Sequence, residues 1–193
     1  MPAAEVISEA KQDARERILE TAYELFSRRA VRDVGIDEVI ERAGVAKATL
    51  YRHFPSKDDL VIAFLERREE RWTVAWVEAE AKRRGNTPEE QLLAIFELFD
   101  EWFQRDDFEA CSFINVLLEM GPAHPVGQAS VRHLASIRSV VSGLAEEAGL
   151  RDPDAFARSM HILMKGSIVS ATEGDAEAAR RARSMAVRLI EAS

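Results

Sequence analysis

Apolar residues recur every three to four positions along nearly the whole chain, the period of α-helices that bury one face. Ile18, Ala22, Leu25 and Phe26 line a first helix expected at roughly 12 to 29. Ile36, Val39, Ile40 and Ala43 line a second of only two turns, and Leu50 and Phe54 share a face of a third at about 46 to 54. A long fourth helix, about 57 to 84, carries Leu60, Val61, Phe64, Leu65, Trp72 and Trp76, and a fifth, 88 to 105, carries Leu92, Ile95, Phe96, Phe99, Trp102 and Phe103. Further helices are expected at about 110 to 120, 125 to 148, 153 to 172 and 175 to 192. No segment alternates with period two over a strand's length, so the pattern predicts an all-α fold of about nine helices.

Local punctuation marks the boundaries. Thr87-Pro88-Glu89-Glu90 combines an N-cap, Pro at the first helical position and a capping-box Glu. Asp152-Pro153 repeats the cap-then-Pro arrangement, and Ser56 with Asp59 offers a third start. Gly85, Gly121, Gly149 and Gly174 supply stops.

Composition narrows the classes of function. Of 193 residues 47% are hydrophobic, enough for a core, while Asp+Glu 34 against Lys+Arg 26 give a net charge of −8 that disfavours a polyanion as partner for the bulk of the surface. A single cysteine cannot form an internal disulfide, and with the polar N-terminal stretch and the lack of a long apolar run it predicts a cytoplasmic protein that is neither secreted nor membrane-spanning.

The most informative stretch is 36 to 57. Two short helices flank Gly44-Val45, where Gly permits the positive φ of a sharp helix exit, the pattern of a helix-turn-helix. Burying Leu50 and Phe54 leaves Lys47, Thr49, Tyr51, Arg52 and His53 over the remaining surface of the second helix. From Arg42 to Lys57 the chain has Arg42, Lys47, Arg52 and Lys57 and no acid, a local positive patch in an acidic protein. Cations and hydroxyls in that arrangement suit a phosphate backbone, with the helix end in the major groove.

The run Gly44-Val45-Ala46-Lys47-Ala48-Thr49-Leu50-Tyr51-Arg52-His53-Phe54-Pro55-Ser56-Lys57 resembles the recognition helix of the TetR/AcrR family of bacterial transcriptional regulators. Ile18-Leu19-Glu20-Thr21-Ala22-Tyr23-Glu24-Leu25-Phe26 resembles that family's opening helix, so the likeness covers roughly residues 12 to 64. It implies an N-terminal three-helix DNA-binding domain, 1–56, and a C-terminal ligand-binding and dimerisation domain, 57–193, linked by the helix at 57–84. It also implies a homodimer on a palindromic double-stranded DNA operator. By the same resemblance Lys47, Thr49 and Arg52 lie nearest the bases, Tyr51, His53 and Lys57 meet phosphates, and a small effector in the C-terminal domain releases the operator. The sequence departs from the family pattern at Ala46 and Gly35, where Ser or Thr often begins the recognition helix and the helix before it, and at Ala30, where Gly often closes the first helix.

Aromatic and Met residues crowd the middle of the chain, and Trp102, Phe113, Leu117 and Met164 are candidates for a mostly apolar effector pocket, although such residues also build ordinary cores. Cys111 opens a stretch similar to a cysteine-bearing segment of some relatives, a few of which sense electrophiles. Asp106, Asp107 and Glu109 before it raise a thiol's pKa and favour a structural thiol. His124 is expected in a turn and His133 and His161 on polar or core faces; no second ligand stands at helical spacing, so neither a metal site nor a cofactor is expected. Phe156, Met160, Leu163, Ser167 and Ala171, with Ala178, Ala182, Met185 and Leu189, pair long and small residues on the last two helices. That suits close packing either across a dimer two-fold axis or within one chain.

No catalytic constellation, phosphate-binding loop or paired metal ligands appear, which argues against an enzyme. The leading expectation is a ligand-responsive regulator, most simply a repressor. The alternative is a helical interaction module whose helix-turn-helix no longer reads DNA.

Overall fold

The computed structural model describes the backbone of residues 2–193 and the side chains from residue 13 onward. The described residues are helical with short connections and contain no strand. Helix α1 spans Pro2–Arg28, α2 Ile36–Ala43, α3 Lys47–His53 and α4 Lys57–Arg68. A π-helical segment, Glu69–Glu78, continues into α5, Ala79–Arg84. Then follow α6 Pro88–Phe103, α7 Ser112–Met120, α8 Pro125–Glu147, α9 Pro153–Thr172 and α10 Ala178–Glu191. A single turn of 3₁₀-helix, Val31–Asp33, precedes α2.

Each start read from the sequence carries its cap. Glu90 N–H donates to Thr87 Oγ1 at 3.3 Å and Ala155 N–H to Asp152 Oδ1 at 3.1 Å. Ser56 and Asp59 exchange bonds, Asp59 N–H to Ser56 Oγ at 3.1 Å and Ser56 N–H to Asp59 Oδ2 at 2.9 Å.

Two expectations require correction. The first helix begins at Pro2 rather than near residue 12, in a stretch that holds three Ala and two Glu. The run from 57 to 84 is not one regular α-helix, because residues 69–78 are wound as π-helix. There the buried positions Trp72, Thr73 and Val77 repeat at four to five residues, the spacing that a wider turn aligns.

The chain divides into two compact units, residues up to Arg68 with Ser112–Val131, and Glu69–Cys111 with Arg132–Ser193. In the first, α1 packs on α4 through Tyr23 and Phe26, each with its ring centroid 5.6 Å from that of Phe64. Arg67 joins Glu16 at 2.6 Å and Arg68 Nη1 donates to Tyr23 Oη at 3.0 Å along the same seam. In the second unit α10 lies against α9 and α6, with Ala178, Ala179, Ala182 and Ala186 buried so that the backbones approach closely. Phe156, Met160 and Ser167 of α9 are buried as well. Of the face of long and small residues on the last two helices, Phe156, Met160, Ser167, Ala178 and Ala182 are thus in the chain's own interior, Leu163, Ala171 and Leu189 are half-buried and Met185 is exposed.

Candidate nucleic-acid interface

Gly44 makes the turn. Its φ of 62° and ψ of 42° place it in the left-handed region after the last residue of α2. Val45 N–H donates back to Ile40 O and Gly44 N–H to Glu41 O, both at 3.2 Å, closing the helix end as such a terminus requires. Arg17 Nε reaches from α1 to Ala43 O at 3.4 Å and covers one of the last carbonyls of α2.

Helix α3 starts from Ala46, an extended N-cap that makes no side-chain cap bond. Leu50 is fully buried and Phe54 nearly so, with the Arg15 guanidinium 5.2 Å from the Phe54 ring centroid. These anchors fix which side of α3 faces water. Lys47 and Arg52 are exposed, Tyr51 is 40% exposed although it is a large aromatic, and Thr49, His53 and Lys57 are half-buried. The six residues expected to meet DNA are therefore all on or just after one short helix, and Lys47, Tyr51 and Arg52 project furthest from the core.

The charge of the surface is more structured than the sequence suggested. Lys47 Nζ pairs with Asp37 Oδ1 at 3.3 Å and Arg42 with Glu38 at 3.0 Å, so two of the four cations carry an acid from α2. Among the described residues Arg52 and Lys57 have no ion-pair partner. Sequence reading missed Asp37, though its place in the first turn of α2 is where helix dipoles favour an acid.

Sequence reading also missed Glu119. Its carboxylate, from α7, accepts from Val31 N–H at 2.8 Å and from Arg32 N–H at 2.7 Å, and Arg32 Nε adds a bond at 3.1 Å. Burial opposes ionisation of this group, but the two backbone donors and the Arg32 guanidinium outweigh it and hold its pKa below the ordinary 4.5. Nothing in the sequence around Glu119 signals a partner 88 residues away.

The four candidate pocket residues are divided between the two compact units. Trp102 belongs to the second unit, where it meets Phe108 at 5.0 Å, Trp72 at 5.3 Å, Phe103 at 5.5 Å and Trp76 at 6.0 Å between ring centroids. Met164 is buried in the same unit, whereas Phe113, buried, and Leu117, half-buried, lie on α7 in the first. Within the second unit Trp72 Nε1, Thr73 Oγ1 and His161 Nδ1 are buried without a hydrogen-bond partner among the described residues. A separate cleft of about 220 Å³ opens beside the start of α9 and the end of α10, lined by Asp152, Phe156 and Leu189, and includes none of the four.

Cys111 is buried. His133 is buried with Nδ1 2.7 Å from Glu69 Oε2, and His161 lies in the core. Among the described residues no group of three His, Cys, Asp or Glu side chains could hold a metal, and no helix is long and apolar enough to cross a membrane.

A two-turn helix, a left-handed glycine and a second helix with an exposed basic and aromatic face define a helix-turn-helix protein. Residues 18–64 match the model of the bacterial regulatory proteins of the tetR family. Two relatives from Mycolicibacterium smegmatis agree over about half of this chain. The transcriptional activator FasR is 34% identical over 96 residues, 50% of this chain and 43% of FasR. The transcriptional repressor KstR is 38% identical over 92 residues, 46% of this chain and 43% of KstR. The matched stretch thus spans less than half the length of these relatives. The crystal structure of SCO4454, a TetR-family transcriptional regulator from Streptomyces coelicolor, superposes with a TM-score of 0.83 at 28% identity, covering 93% of this chain and 95% of that one. Over 93% of its length the chain has the fold of a TetR-family transcriptional regulator, and residues 18–64 are similar to the model of that family.

Proposed function

We propose that this protein is a ligand-responsive transcriptional regulator, a repressor that binds a palindromic operator as a homodimer and is released by a small, mostly apolar effector. The observation that carries the DNA-binding part is the outer face of α3, where Lys47, Tyr51 and Arg52 project from a helix anchored by Leu50 and Phe54. On this reading residues 1–56 form the DNA-binding domain and 57–193 the ligand-binding and dimerisation domain. Lys47, Thr49 and Arg52 read base edges, and an Arg pairs bidentately with guanine. Tyr51, His53 and Lys57 hold phosphates and set the register.

Dimerisation through α9 and α10 is supported by the apolar side chains those helices leave in water. Ile162 is 66% exposed, Val169 49% and Met185 55%, apolar surface that a second copy seated on these helices would remove from water. An apolar effector is supported by the aromatic cluster around Trp72 and Trp102 and by the unpaired polar atoms buried in the same unit, which suit a pocket lined by rings with few polar groups. Repression is the simpler sign for such a device, because a bound dimer blocks a promoter without needing further contacts. FasR is an activator and KstR a repressor by name, so the sign proposed here rests on the blocking argument and not on the relatives.

The test is selection of bound fragments from the source genome near physiological salt, run in parallel with a Tyr51→Ala, Arg52→Ala double variant. A palindrome with half-sites about one helical turn or a multiple apart, recovered by the parent alone, is the expected result. Equal recovery by both proteins, or none by either, would overturn the DNA-reading surface and favour an interaction module.

A further inference from the structure

We propose that Glu119 is the positioning residue of the helix-turn-helix, the group by which α7 fixes the approach of the chain into α2 and so the geometry of the reading head. The inference rests on the DNA-binding reading above and adds to it a residue far from the recognition helix. The 3₁₀ turn Val31–Asp33 starts from Ala30, which has no side chain able to cap it. Its leading amides, Val31 N–H and Arg32 N–H, are instead taken up by the two carboxylate oxygens of Glu119 at 2.8 and 2.7 Å. Charged acceptors on backbone amides are the strong class of hydrogen bond, and the Glu119 side chain, only 9% exposed, is held out of competing water.

What it holds is placed to matter. Val31 and Val34 are buried at 4% and 0% exposure, and Gly35 follows at once as the N-cap of α2. Arg29 Nη1, just upstream, grips Glu38 of α2 at 2.8 Å. A shift of the 31–34 turn therefore carries α2 with it, and α2 carries Asp37, the partner of Lys47 on α3. Five residues beyond Glu119 the same segment touches the other flank of the helix-turn-helix. His124 Nδ1 accepts from Val126 N–H at 3.3 Å, which leaves Nε2 to bear the hydrogen, and Nε2 stands 3.6 Å from Asp58 Oδ2 in the first turn of α4. Residues 112–131 thus hold the chain both before α2 and after α3, in one compact unit with them.

The test compares the parent with Glu119→Ala, Glu119→Gln and, as a surface control on the same helix, Leu118→Ala. Amide exchange at Val31 and Arg32 reports the capping, and binding to the selected palindrome and to an unrelated duplex of equal length reports the positioning. Expected for Glu119→Ala are faster exchange at those two amides and a loss of palindrome affinity of about fivefold or more, with less than twofold change on the unrelated duplex. Glu119→Gln, which keeps an acceptor oxygen, should fall between, and Leu118→Ala should match the parent. General unfolding would lower both duplex affinities together, so the ratio separates positioning from mere stability, and the Gln variant serves if the Ala variant fails to fold. Parent-like exchange, or a parent-like ratio of affinities in both Glu119 variants, overturns the proposal. A parent that prefers no duplex overturns the DNA reading as well, a failure recognisable because it needs no variant.

Discussion

Lys47 Nζ lies 3.3 Å from Asp37 Oδ1, so the first residue of the recognition helix already has an anionic partner from the helix before it. Both side chains are exposed, at 64% and 86%, and such a pair is worth about 0.2–1 kcal/mol. A DNA phosphate or base edge that takes Lys47 must displace Asp37. Asp37→Asn is expected to raise DNA affinity up to about fivefold by removing that competition and a repelling charge. Fluorescence anisotropy on the selected palindrome checks it, and weaker binding would show that Asp37 orients Lys47 rather than restrains it.

Ala46 begins α3 in extended conformation, φ −73° and ψ 148°, with no side-chain cap. The backbone is therefore already set for a capping residue, and Ala46→Ser should stabilise the protein by about 1 kcal/mol. Chemical denaturation measures the gain. A serine that leaves the midpoint unchanged would mean that its hydroxyl does not reach the amides of the first turn.

His161 is buried in α9, and burial, followed by the nearby Lys165 and Arg138 charges, lowers its pKa from 6.5 to about 3. Between those two values the unfolded chain binds a proton that the folded chain refuses, so stability falls as pH drops below 6.5 and the loss is complete near pH 3. At pH 5 this group alone accounts for about 2 kcal/mol. Urea midpoints at pH 7 and pH 5 should differ less in His161→Leu than in the parent. An equal acid loss in both would assign the effect to other groups.

Two residues hold positive φ for opposite reasons. Gly44, at 62°, has no Cβ to strain, whereas Ala110, at 59°, is the one non-glycine residue in that region among those described. Gly44→Ala should cost about 1–2 kcal/mol and weaken DNA binding with it, while Ala110→Gly should gain about 0.5–1 kcal/mol. Thermal or urea melts of the two variants should move in opposite directions; movement in the same direction would show that chain entropy outweighs strain at Ala110.

The sequence by itself determined the parts of this protein that are local. Helical periodicity, the caps at Ser56, Thr87 and Asp152, the turn at Gly44 and the anchoring of α3 by Leu50 and Phe54 each depend on residues within a few positions of one another, and each stands in the structure as read. The basic face of α3 was legible for the same reason, since helix geometry alone separates Lys47, Tyr51 and Arg52 from the buried side. Tertiary structure decided what depends on distant partners. The π-helical winding of 69–78 coincides with the packing of Trp72 on Phe99 and Trp102, residues of another helix. Whether the alanine face of α10 met a second chain or its own α9 was open in the sequence, because small residues favour close approach without naming the partner. The seat of Glu119 on Val31 and Arg32 was invisible for a stronger reason. A carboxylate that caps amides 87 and 88 residues away leaves no periodicity, spacing or local charge pattern to find.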